Sequence, residues 1–167
     1  MRTLSTFVAA SALTIGLATA SQAQTPVNPL LPTTGTREIG LSGTLNFEPS
    51  TDLALSVKYG RFQNQKLEFG GYGTILDPER GDSTYSVGAF ADYHFPGASP
   101  LLPFIGLSAG YANTRNDGTF AYGVQGGVKY FVNSNVAATG QLVYRDYTQS
   151  GVGNEFRLEL GLAVYLR

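Results

Sequence analysis

The last thirteen residues, EFRLELGLAVYLR, divide by parity: Phe156, Leu158, Leu160, Leu162, Val164 and Leu166 form one set, and Glu155, Arg157 and Glu159 the other. A helix, turning about 100° per residue, would scatter both sets around its circumference, whereas a strand gives each set a face of its own. The same period-2 pattern recurs upstream at 37–47, 52–62, 66–75, 84–95, 103–113, 120–132 and 136–147. In the first of these Ile39, Leu41, Leu45 and Phe47 oppose Glu38, Ser42, Thr44 and Asn46, and in the fourth Tyr85, Val87, Ala89, Ala91 and Tyr93 oppose Ser86, Gly88, Phe90, Asp92 and His94. Turn-forming residues separate the segments at 48–51, 63–65, 76–83, 96–100, 114–119, 133–135 and 149–153. Gly70, Gly71 and Gly73 blur the alternation of the third segment and predict a bulge or bend there.

This pattern predicts an all-β chain: an eight-stranded antiparallel up-and-down transmembrane β-barrel with short loops. An even number of strands joined by short connections closes on itself and puts both termini at one end. Strands of this length, at about 3.3 Å per residue and a tilt of about 40°, rise roughly 25–30 Å, the height of an outer-membrane apolar band.

The polar parity decides which face is outside. It holds Glu38, Lys58, Lys66, Glu68, Asp92, Lys129, Arg145, Arg157 and Glu159, too many charges for a solvent-excluded ligand pocket and nearly balanced in sign. Inside a narrow barrel they are expected to pair as a structural charge network filling the lumen. The aromatics on the apolar parity gather at strand ends: Phe47, Tyr85, Tyr111, Phe120, Tyr122, Tyr144 and Phe156 towards one rim, Tyr59, Tyr93, Phe95 and Tyr130 towards the other. Between them stand aliphatic or small residues such as Val57, Ala89, Leu107, Val124 and Leu160. Lipid interfaces select two such girdles, while a soluble core has no reason to sort its residues this way.

The ends carry a different signal. Arg2, an apolar run from Phe7 to Ala18 and small residues thereafter predict a secretory signal peptide over 1–23, cut after Ala23 with Ala20 as the other candidate site. Residues 24–36 contain three prolines and no periodicity, so an extended tail is expected before a barrel at 37–167. The chain has no cysteine, which removes disulfides and thiolate metal sites, and its net charge of −1 argues against a nucleic-acid partner.

Candidate chemistry is sparse. His94 is the only histidine and would have to serve any triad; its parity points it into the lumen, where a hydrogen bond to Asp92 or water is the expected fate. The loop residues Asp77, Glu79 and Asp82 match no calcium-binding spacing, and their acidic groups offer at most cation bridging to lipopolysaccharide. Gly70-Gly71-Tyr72-Gly73 and Gly126-Gly127 precede no helix, so they cradle no phosphate and instead ease close backbone approach or curvature. No cofactor is expected.

The segments YSVGAFADYHF, PFIGLSAGYA, YGVQGGVKYF and LELGLAVYL give the chain from about residue 38 onward a resemblance to the porin-family, OmpA/OmpX-type eight-stranded outer-membrane barrels. The resemblance implies periplasmic termini, periplasmic turns near 63–65, 96–100 and 133–135, and outward loops elsewhere. It also implies outer-membrane lipids, lipopolysaccharide and the outer-membrane assembly machinery as partners. The expected function is non-enzymatic support of envelope structure and integrity, with a narrow, weakly conducting channel or a surface adhesin as alternatives. Short outward loops weigh against the adhesin. The chain departs from the family pattern at its end, where Leu166, not an aromatic residue, holds the last outward position and Arg167 follows.

Overall fold

The computed structural model describes residues 28–45, 53–77, 83–114, 117–149 and 154–167. The expected signal peptide over 1–23, Phe47 and most of the acidic loop lie outside the described residues. Eight strands follow in chain order: β1 (Arg37–Leu45), β2 (Leu53–Phe62), β3 (Leu67–Asp77), β4 (Thr84–His94), β5 (Leu101–Thr114), β6 (Asp117–Asn133), β7 (Val136–Tyr147) and β8 (Glu155–Leu166). Each pairs antiparallel with its sequence neighbours, and β1 pairs with β8, so the sheet is a closed barrel without an open edge. No helix long and apolar enough to cross a membrane is present among the described residues.

The parity read from sequence sets the two faces. Outward positions carry Leu41, Val57, Val87, Leu107, Val124, Leu160 and Leu162, all about half exposed or more. Inward positions carry the charged and hydroxyl side chains, together with a set of buried rings. Among the described residues the outward row bears charge only at its two ends, at Arg37 and Arg61 near the termini and at the Asp77 and Asp146 positions near the opposite rim. The aromatics Tyr59, Tyr85, Tyr93, Phe95, Tyr111, Tyr122, Tyr130, Tyr144 and Phe156 are all exposed on that row.

Several local expectations change. The glycines of β3 make no bulge: Gly70, Gly71 and Gly73 pair in unbroken register with both β2 and β4. Gly70 is needed for close approach, since a Cβ there would stand 2.0 Å from the Tyr59 carbonyl oxygen and 2.8 Å from the Gly60 Cα. The register irregularity lies instead between Phe131 and Asn133, next to the tight turn into β7. β5 begins at Leu101 and β6 at Asp117, and pairing of Thr114 with Asp117 turns the expected loop over 114–119 into a tight hairpin. Lys66 sits exposed in the turn before β3 and contributes nothing to the lumen.

The tail differs most from expectation. Residues 28–36 fold back against the end of the barrel that holds the termini. The Phe62 amide donates to the Thr36 carbonyl at 2.9 Å and the Gly35 amide to the Phe62 carbonyl at 2.8 Å. Gly35 has φ 88°, a left-handed conformation that side-chain-bearing residues rarely adopt. Arg167, the residue after β8, donates through its guanidinium to the carbonyls of Pro29 (3.1 Å), Leu30 (2.6 Å) and Leu31 (3.2 Å). Proline-rich composition hid this docking, because its partners are backbone carbonyls that leave no trace in residue type.

Candidate functional site

Among the described residues the interior of the fold is the lumen, and its contents are built from the inward parity of all eight strands. Next to the docked tail lies an apolar layer of Leu31, Phe62, Leu102, Phe131, Ala137, Ala163 and Tyr165. The Phe131 and Tyr165 rings meet at 4.8 Å and those of Phe62 and Tyr165 at 6.3 Å. These are tilted contacts of the kind that stabilises aromatic clusters beyond their area burial.

Above this layer Lys129 projects from β6 across the barrel and donates to Glu38 on β1 and, at 2.9 Å, to Glu68 on β3. Lys129 and both acids are almost completely buried. Gly60 makes room for this cluster, because a Cβ at that position would fall 1.9 Å from Glu68 Oε1. His94 packs between Phe62 (5.0 Å) and Phe104 (5.5 Å), with Nε2 3.5 Å from Glu68 Oε2. The expected hydrogen bond to Asp92 is not made, and neither ring nitrogen has a hydrogen-bond partner among the described residues.

A second cluster sits deeper. Lys58 Nζ lies 3.1 Å from Asp92 Oδ2 and 3.9 Å from the centroid of the Phe90 ring, and Gln125 donates to Asp92 Oδ1. Gly106 leaves the space that the Asp92 carboxylate occupies. Towards the opposite rim, Glu159 accepts from Gln141 (2.6 Å) and Ser42 (3.2 Å) and lies 3.2 Å from an Arg157 nitrogen. Arg157 also donates to Glu155 at 2.9 Å, and Tyr147 donates to the other Glu155 oxygen.

Arg145 stands apart. It donates to Ser86 Oγ at 3.3 Å and lies 5.0 Å from the Tyr72 ring, with no carboxylate at ion-pair distance among the described residues. The eight sequence-predicted lumen charges therefore fall into three paired clusters plus Arg145. Sequence reasoning missed the apolar half of the filling: Phe62, Phe131 and Tyr165 share the strand and parity of Lys58, Lys129 and Glu159, and that parity was the available signal, while Leu102 lies on β5, whose inward parity carries no charge.

Two cavities of about 20 Å³ each flank Lys58, one towards Ser56, Thr74 and Arg145, the other towards Glu38, Ser42 and Thr139. Each has room for about one water. No group of three or more His, Asp or Glu side chains is placed to hold a metal ion among the described residues.

A closed barrel with an aliphatic band between aromatic rims outside and ion pairs within has the architecture of outer-membrane β-barrels. No protein-family model matches the chain, and no curated protein matches its sequence. Solved structures share its fold. The N-terminal β-barrel domain of Pseudomonas aeruginosa OprF is similar over 81% of this chain and 100% of its own, with TM-score 0.66 and 17% identity. A de novo designed transmembrane β-barrel gives 0.62 and 12% over 81% and 99% of the two chains. The outer membrane protein OprG of Pseudomonas aeruginosa gives 0.58 and 10% over 83% and 99%. The chain thus has the fold of the small eight-stranded outer-membrane barrels, the OmpA/OmpX type.

Proposed function

We propose that this protein is a non-enzymatic outer-membrane barrel with a sealed lumen that contributes to envelope structure and integrity. The observation that carries this reading is the filling of the lumen: a docked tail, an aromatic layer and crossed ion pairs occupy it, and the cavities beside Lys58 are water-sized. A conducting pore needs a continuous aqueous path. Catalysis by His94 is disfavoured by its position, since a base with no solvent exposure, held between two phenylalanine rings, has no route to a substrate.

Export through the N-terminal segment, insertion by the outer-membrane assembly machinery, and contact with outer-membrane lipids and lipopolysaccharide belong to the same proposal. The lumen claim is tested by single-channel recording of the purified protein in planar bilayers. The expected result is no stable conductance step. Stable openings would overturn the sealed lumen and favour a narrow channel.

A further inference from the structure

On the outward row, at the end of the barrel that holds the termini, β1 and β2 place Arg37 and Arg61 directly opposite each other in register. Both are exposed, and neither makes an ion pair with any acid among the described residues. Like charges in directly opposed cross-strand positions disfavour the pairing unless an anion sits between them. The next outward positions inward along the two strands are Ile39 and Tyr59, and the flanking strands present Leu166 opposite Arg37 and Phe69 opposite Arg61. The arginine pair therefore stands at the edge of the apolar band, at the depth of lipid headgroups, with an aromatic ring beside it.

We propose that Arg37 and Arg61 form a clamp for the phosphate of an anionic phospholipid in the leaflet at the termini end of the barrel. The chemistry suits guanidinium groups, which bind phosphate oxygens through planar paired donors that remain charged at any relevant pH. An acyl chain descending from that phosphate would run along the Ile39 and Tyr59 positions and continue onto Leu41 and Val57. The proposal rests on the barrel spanning a membrane, as its fold indicates.

The test uses protein purified from membranes in a neutral detergent, with phosphatidylglycerol, phosphatidylcholine and inorganic phosphate as probes and native mass spectrometry as the readout. Migration as a heat-modifiable band, checked first, confirms that the barrel is folded; its absence in the unsubstituted protein would sink the barrel reading itself. Phosphatidylglycerol should be retained over phosphatidylcholine, with retention falling about fivefold in Arg37→Gln or Arg61→Gln and about thirtyfold in the double variant. Lys66→Gln should leave it unchanged. Equal retention of the two lipids by folded protein, or an equal loss from Lys66→Gln, would overturn the clamp in favour of diffuse charge. Displacement of the lipid by millimolar inorganic phosphate would identify a free-phosphate site and overturn the lipid assignment.

Discussion

Lys129→Met is the most informative perturbation of the lumen. Lys129 is the one cation among the described residues that bridges Glu38 and Glu68, which are 3% and 0% exposed and which come from β1 and β3, the strands that flank β2 across the barrel from β6. Methionine keeps the length and apolar character of the stem but leaves two carboxylates buried without a cation. Removing one partner of a buried ion pair costs about 3–5 kcal/mol, most of it the penalty of the stranded charge. The triple variant Lys129→Met, Glu38→Gln, Glu68→Gln removes those charges and should recover most of the loss. The chain contains no tryptophan, so intrinsic indole fluorescence is not a usable probe. Urea unfolding of the inserted barrel, followed by the gel shift between folded and heated forms, supplies the readout instead. With a slope of about 2 kcal/mol per M, the single variant should unfold roughly 1.5–2.5 M earlier in urea. A shift corresponding to under about 1 kcal/mol, or a triple variant weaker than the single one, would refute the view that Lys129 holds the lumen together.

Three further outcomes follow from the same geometry. Gly60→Ala places a methyl group where Glu68 Oε1 now lies and displaces that carboxylate, with an expected loss of about 1–3 kcal/mol in the same urea assay. Leu107→Arg puts a charge in the middle of the outward row of β5, where the residue is 64% exposed, and should cost about 2–4 kcal/mol in a bilayer; unchanged stability would place that face in water. Arg167→Ala removes the donors to three tail carbonyls and should release the tail to limited proteolysis while the barrel stays folded, at a stability cost of about 1 kcal/mol.

Strand number, topology and facing were legible because period-2 alternation runs through every segment but the glycine-rich end of the third, and because the closing strand EFRLELGLAVYLR is unambiguous. The seven upstream segments locate seven strands within a few residues, the largest shift being the three residues by which β6 starts earlier. The interior was legible only in its charges. Phe62, Phe131 and Tyr165 look like further girdle aromatics until their parity is counted, and their partners are fixed by register across the barrel, which no local pattern encodes. The docked tail was illegible for a related reason: Arg167 binds backbone carbonyls about 136 positions away. His94 illustrates the limit of inference from neighbours in sequence. Asp92 shares its strand and face, yet the ring turns towards Glu68 and two phenylalanines from other strands.

If the apolar parity of these strands faces lipid and the charged parity faces inward, cell fractionation followed by gel migration of heated and unheated protein has a definite outcome. The protein should partition with the outer membrane, and the unheated, folded form should migrate differently from the heated one. Recovery in the soluble fraction, folded without detergent, would contradict that facing.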